Sequence, residues 1–78
     1  MRIAEVLKKM YDEGKGYEAA SLISYIEETG GLSSLLEDFY YAGLVLYADP
    51  LEGYILYSDK DIPNGIKEGY IEEEHIVK

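Results

Sequence analysis

The spacing of apolar residues predicts three consecutive helices in the first half of the chain. Residues 3 to 13 carry apolar side chains at i, i+3, i+4 and i+7, which is one stripe of an amphipathic helix. Glycines end each predicted helix, so the second runs from residue 17 or 18 to residue 29 and the third from residue 32 to residue 42. The predicted inward-facing residues are Ile3, Val6, Leu7, Met10, Ala19, Leu22, Ile23, Ile26, Leu32, Leu35, Leu36 and Phe39.

Two short runs rich in β-branched and aromatic residues follow, and they predict a β-hairpin. The runs span residues 44 to 48 and 54 to 58, and Pro50 and Gly53 between them are typical turn residues. Further on, Asn64-Gly65 predicts a turn within residues 59 to 65. Residues 67 to 78 fit either a short strand or one to three turns of helix. Candidate core contacts in the last part of the chain are Ile66, Tyr70, Ile71, Ile76 and Val77.

Composition limits what so short a chain can do. Its 78 residues allow one small core, and with no Cys and a single His we expect no zinc site. No apolar run approaches the roughly 20 residues of a membrane span, and the N-terminus does not begin as a signal peptide does. We therefore expect a cytoplasmic protein. The many Ile, Glu and Tyr residues and the absence of Gln are similar to the composition of hyperthermophile proteins.

The order helix, helix, glycine turn, helix, hairpin resembles the winged-helix family of helix-turn-helix proteins. The most family-like stretch is residues 36 to 45, which fits the phrase Leu-x-x-x-x-x-Ala-Gly-Leu-Val that commonly joins the recognition helix to the first wing strand. The resemblance implies an α+β fold: a small winged-helix domain over residues 1 to 58, with three helices followed by a β-hairpin wing. Residues 59 to 78 would form an acidic C-terminal extension that packs on this domain or trails from it.

The charge pattern departs from that family. Where the recognition helix would present polar and basic side chains to DNA, this chain keeps Ser33 and Ser34 but adds acidic and aromatic residues. Residues 16 to 59 contain no Lys or Arg, and phosphate binding depends on cationic side chains. The whole chain has 16 acidic and 7 basic residues, a net charge of −9, which favours a basic partner or only serves solubility. The carboxylates within residues 16 to 59 are Glu18, Glu27, Glu28, Glu37, Asp38, Asp49, Glu52 and Asp59.

We therefore predict a non-catalytic protein-binding module that uses the third helix and the wing. Its partner would be a basic or nucleic-acid-binding protein. In a more specific form of this hypothesis, the carboxylates mimic DNA phosphates and the chain inhibits that protein. Leu51 at the wing tip is a candidate apolar anchor, because no core explains it. No cofactor and no membrane contact are expected, and the chain would be a monomer or a homodimer. The predicted contact set is Ser34, Glu37, Asp38, Tyr40, Tyr41, Asp49, Leu51 and Glu52.

The alternative is a DNA-binding transcription regulator that acts as a dimer and uses an atypical face. It would bind phosphates through Lys8, Lys9, Lys15 or Lys60, which lie outside the cation-free stretch. The nine tyrosines also have two interpretations. Adjacent tyrosines at 40 and 41 suit an interface, whereas those at 47, 54 and 57 are expected to replace Phe and Trp in the core.

No motif predicts catalysis or a metal site. The single imidazole, His75, follows three glutamates near the end of the chain and is expected to be a surface residue. Residues 59 to 65 are similar to the start of a calcium loop, but the glycine is seventh rather than sixth and Ile71 stands in the place of the closing glutamate. We therefore expect neither an enzyme nor a metalloprotein.

Overall fold

The computed structural model describes residues 3 to 78. It begins with three helices, α1 (Ile3–Asp12), α2 (Gly16–Glu28) and α3 (Leu32–Ala42), which confirms the helices predicted from the sequence. Gly43 ends α3 in the left-handed conformation, with φ of 72°, and its N–H donates to the carbonyl groups of Phe39 and Tyr40. Within residues 3 to 78, no helix is both long enough and apolar enough to cross a membrane.

A two-stranded antiparallel hairpin follows α3. Strand β1 (Leu44–Asp49) pairs with β2 (Gly53–Ser58), and the register places Leu44 opposite Ser58 and Asp49 opposite Gly53. Three helices followed by a hairpin are compatible with the winged-helix layout, and the fold is a small α+β one, as predicted.

The core lies between the helices and the inner face of the hairpin. The predicted faces of α2 and α3 are confirmed, since Ala19, Ile23, Leu35 and Phe39 are buried and their predicted neighbours pack against them. In α1 the buried stripe contains Ala4 and Leu7, whereas Val6 is only partly buried. The buried residues that form the core cluster are Ala4, Leu7, Ala19, Ile23, Leu35, Phe39, Leu44 and Leu46.

The turn predicted at Asn64-Gly65 is wrong. Residues Asp59–Asp61 form one turn of 3-10 helix, and the following Ile62–Glu68 forms a short helix, α4. Gly65 lies inside α4, and Ile71 and Tyr70 pack against it so closely that a Cβ would overlap the Ile71 side chain. The Gly65 carbonyl also accepts the N–H groups of Gly69, Tyr70 and Ile71, at 3.0, 3.1 and 3.1 Å, as the chain leaves the helix. Tertiary packing thus overrides the local preference of Asn-Gly for a turn.

The last residues combine both of the structures that the sequence left open. Glu73–His75 is another 3-10 turn, and Ile76 then makes a single antiparallel bridge to Tyr47 of β1. The N–H of Val77 donates to the carbonyl of Leu46 at 2.9 Å, and Ile71 is only 2% exposed. The residues after β2 therefore pack along the outer side of the hairpin.

Candidate functional site

The α3 surface consists of the predicted contact residues on that helix: Ser34, Glu37, Asp38, Tyr40 and Tyr41. Tyr40 and Tyr41 are 79% and 68% exposed, and their rings meet edge to face with centroids 5.6 Å apart. Ser34 and Glu37 are also exposed, whereas Asp38 is half-buried. These side chains point away from the core because Leu35 and Phe39 fill the opposite face of α3. Tyr41 and Glu37 thus lie on the solvent-facing side of α3, with Asp38 at one edge of that side and Tyr40 at the other, where it lines a groove with residues 76 to 78.

The carboxylates of the α3 surface have no cationic neighbour in residues 3 to 78. The ion pairs of this part of the chain lie elsewhere: Lys8 with Asp12 at 2.9 Å, and His75 with Glu72 and Glu74 at 3.0 and 3.9 Å. Glu37 and Asp38 therefore keep their charge available for groups outside the described chain.

The predicted contact residues of the wing tip form a second cluster. The Oδ1 atom of Asp49 accepts the N–H groups of Leu51 and Glu52 at 2.8 and 2.9 Å, which closes the turn. The bonds from Glu52 and then Leu51 hold the pKa of the Asp49 carboxyl below its usual value, and the nearby His75 lowers it further. Leu51 is 96% exposed and Glu52 is exposed as well. Asp49 thus has a structural role that the sequence analysis did not assign to it.

The two clusters lie on different elements of the fold. Tyr41 lies at the end of α3, next to the start of β1, whereas Leu51 follows the far end of that strand. The Cα atoms of Leu44 and Asp49 are about 17 Å apart along an extended strand. The length of β1 therefore lies between Tyr41 and Leu51 along the chain.

An aromatic cluster that the sequence pattern did not predict lies on the outer face of the hairpin. The Tyr47 ring lies 5.7 Å from that of Tyr57 and 5.9 Å from that of His75, and Tyr57 lies 6.4 Å from Tyr70. The N–H of Glu72 donates to the Tyr47 hydroxyl at 3.0 Å. Burial raises the pKa of Tyr57, and the neighbouring tyrosines and acidic residues raise it further. Positions 47 and 57 share one face of the predicted hairpin, but no pattern placed the later residues over them.

A cavity of about 300 Å³ opens between the wing tip and the residues after α4, and we call it the tip cavity. Leu51 and Tyr70, both exposed, lie on its two sides, and the buried Tyr47 also lines it. Its complete lining is Tyr47, Asp49, Pro50, Leu51, Gly69, Tyr70, Glu72 and His75.

The tyrosines predicted to be core residues are covered to different extents. Tyr47 is buried at 3% exposure, whereas Tyr54 and Tyr57 are partly buried. Tyr54 faces the helices: its hydroxyl donates to Glu27 Oε2 at 2.5 Å, and its carbonyl accepts the Tyr11 hydroxyl at 2.7 Å. The hydrogen bond to Glu27 is the main cause that raises the pKa of Tyr54 to about 12.

The alternative DNA-binding lysines are all exposed, but they are not isolated from acidic groups. Lys8 is paired with Asp12 and lines a groove that also contains Asp61. Lys9 lies on α1, Lys15 in the loop after it and Lys60 in the first 3-10 turn. The residues proposed for phosphate binding therefore come from three separate segments of the fold.

One group of side chains within residues 3 to 78 has the spacing of metal ligands. Atoms of Glu72, Glu74 and His75 lie within 4.8 Å of one another on the second 3-10 turn. Two of these three residues are exposed, and exposed acidic groups commonly have this spacing without binding an ion. The geometry gives no further indication of a metal centre.

Comparisons of the chain with protein-family models, with curated proteins and with solved structures gave no match. The layout of three helices and a hairpin is compatible with a winged-helix fold.

Proposed function

We propose that this chain is a non-catalytic winged-helix module that binds a basic protein through its α3 surface. The observation that carries the proposal is the pair of exposed tyrosines, Tyr40 and Tyr41, beside the carboxylates of Glu37 and Asp38. Tyrosine is enriched at interfaces because it offers a rigid apolar ring with a polar end. Carboxylates without a cationic neighbour complement Lys and Arg side chains of a partner.

The same charges argue against DNA as the ligand of this face. A protein that binds duplex DNA neutralises phosphates with Lys and Arg, and α3 and the wing contain neither residue. Two negative surfaces would repel each other when α3 approached a groove. A basic or nucleic-acid-binding protein presents the complementary charge, and one that normally holds DNA at the same site would make this chain a nucleic-acid mimic.

The first test is charge reversal on the α3 surface. Proteins from the source cell are captured with the parent chain and with a Glu37→Lys/Asp38→Lys variant, and each captured protein is then purified and titrated calorimetrically. We expect the variant to lose at least tenfold in affinity, since reversing two charges in contact with a basic partner costs more than about 1.4 kcal/mol. A Glu5→Lys/Glu13→Lys variant, which makes the same change in net charge on and after α1, is the matched control and should bind as the parent does.

Duplex DNA is titrated in parallel at low and at moderate salt. The proposal predicts no binding at either salt concentration, together with competition between DNA and this chain for the partner if the chain is a mimic. The alternative, a dimeric DNA-binding regulator, predicts binding with a clear salt slope. Binding of that kind, or equal affinity of the parent and the α3 variant for the partner, would overturn the proposal.

A further inference from the structure

We infer that the tip cavity binds one Lys or Arg side chain from a basic segment of the partner protein. This inference rests on the proposed function and deepens it, because it assigns the chemistry that a second part of the interface would recognise. It concerns the wing tip and the residues after α4, which share no residue with the α3 surface.

The size and lining of the cavity suit one long side chain. At about 300 Å³ it lies at the lower end of the range for ligand sites, roughly 300 to 1,000 Å³. Pro50 and Leu51 form an aliphatic side, and Tyr70, which is 52% exposed, supplies an aromatic ring. The hydrocarbon stems of Lys and Arg pack well on such surfaces while their charged ends stay hydrated. Leu51, at 96% exposure, would be covered by an entering stem.

The charges of the cavity select a cation. Asp49 and Glu72 line it, and none of its lining residues is Lys or Arg. Asp49 uses Oδ1 for both turn hydrogen bonds, and its lowered pKa keeps the carboxylate ionised at neutral pH. The Glu72 carboxylate is 3.0 Å from the His75 imidazole and remains 60% exposed. A cation placed over Tyr70 would therefore combine attraction to the ring with attraction to two carboxylates.

The structure favours this occupant over a neutral apolar side chain and over a metal ion. A neutral side chain would contact Leu51 and Tyr70 but would leave the charges of Asp49 and Glu72 with only the His75 imidazole as a partner. A bare divalent ion would gain nothing from the aliphatic and aromatic sides, since hard cations bind oxygen ligands.

The direct test is a titration of the ¹⁵N-labelled full chain with a blocked peptide of sequence Gly-Arg-Arg-Gly, followed by amide chemical shifts. We expect shifts at Leu51, Glu52, Gly69 and Tyr70 that saturate. The control peptide replaces both arginines by citrulline, which has nearly the same shape but no charge, and it should bind at least about fivefold more weakly because it lacks the cation. Equal binding of the two peptides, or Arg-dependent shifts confined to other parts of the chain, would overturn the inference.

A pair of tyrosine variants tests the location. Tyr70→Ala should weaken peptide binding about fivefold, whereas Tyr25→Ala should leave it unchanged. Tyr25 is the matched control because its exposure of 56% is close to the 52% of Tyr70, and because it lies on α2, away from the cavity. Thermal unfolding and a far-ultraviolet circular dichroism spectrum of each variant show whether it is folded. Leu51→Ser, at a fully solvated tip position, provides a second variant with the same expected loss of peptide binding.

The failure of this inference can be separated from the failure of the proposed function. If Tyr70→Ala does not change the affinity for the peptide while Glu37→Lys/Asp38→Lys abolishes partner binding, the tip cavity is not the cation site. The α3 surface is then still the surface that binds the partner. If the peptide binds in the tip cavity but the α3 variant captures its partner normally, the cation site stands and the α3 proposal is wrong.

Discussion

The hairpin and α3 both carry tyrosines, and the fold buries Tyr47 of the hairpin while it leaves Tyr40 and Tyr41 of α3 exposed. Tyr47 on the outer face of β1 is 3% exposed, whereas Tyr40 on the outer face of α3 is 79% exposed. The difference comes from the residues after β2, which return over the hairpin, whereas they meet Tyr40 only across an open groove. An aromatic residue is therefore an interface candidate only after the course of every other segment is known.

The largest expected difference between the two surfaces is in stability. Tyr47→Ala should lower the free energy of unfolding by about 3 kcal/mol, because it removes a buried ring together with the hydroxyl that accepts the Glu72 N–H. Tyr40→Ala should change it by less than about 0.5 kcal/mol, as an exposed substitution does. Urea unfolding of both variants measures this, and similar losses would mean that the hairpin is not covered as described.

The second prediction tests the packing of Ile71 on α4, in the segment after β2 that returns over the hairpin. Gly65→Ala should lower the free energy of unfolding by about 1.5 kcal/mol, because the new Cβ overlaps the Ile71 side chain. In a helix, alanine is favoured over glycine by about 1 kcal/mol, so a net loss of stability would report the overlap between the new Cβ and Ile71.

The neighbouring substitution Asn64→Ala, at an exposed position of the same helix, is the control. Its free energy of unfolding, measured by thermal unfolding, should lie within about 0.5 kcal/mol of that of the parent. Unchanged or increased stability of Gly65→Ala would show that Ile71 does not pack on α4.

The third prediction concerns the inner face of the hairpin. The hydrogen bond to Glu27 raises the pKa of Tyr54 to about 12, so its contribution to stability is fully present below pH 10 and is lost as the pH rises through 12. Glu27→Gln should move the Tyr54 pKa down toward the ordinary tyrosine value of about 10.

The ring carbon shift of Tyr54, followed by NMR against pH, reads this change directly. Glu28→Gln removes the same charge one residue further along α2 and should leave the Tyr54 titration as it is in the parent. If the two variants titrate alike, Glu27 does not determine the Tyr54 pKa.

The smallest expected effect lies at the wing tip. The backbone hydrogen bonds lower the Asp49 pKa, so this residue stabilises the turn above its unfolded pKa and loses that contribution as the pH falls through the lower folded value. Asp49→Ala should speed amide exchange at Leu51 and Glu52 at neutral pH, and the difference from the parent should shrink in acid. Glu52→Ala is the control, because its carboxylate accepts neither of these bonds.

Local patterns were enough to predict the first three helices and the hairpin. Apolar spacing identified the buried faces of α2 and α3, and the stop at Gly43 placed the end of α3 at Ala42, where Gly43 takes up positive φ. The exposure of Tyr40, Tyr41 and Leu51 was also predictable, because each lies outside an apolar stripe.

Longer-range packing was not predictable in the same way. Asn64-Gly65 is a strong local turn signal, yet Gly65 is helical, and its lack of a side chain instead leaves space for Ile71, which comes from outside the helix. The tip cavity depends on residues from the hairpin and from the two stretches after α4, and no periodicity links them. The role of Asp49 in its own turn was local and could have been found, since an Asp at the start of a Pro-containing turn often accepts backbone N–H groups.

The bridge between Tyr47 and Ile76 also bears on aggregation. With β2 on one side and residues 76 and 77 on the other, β1 has neighbours from its own chain at both edges. An unpaired strand edge is a template on which other chains add. Displacing residues 76 and 77, for example by a Val77→Pro substitution that removes the N–H donated to Leu46, would open a second edge and convert a capped hairpin into one that can extend through neighbouring molecules.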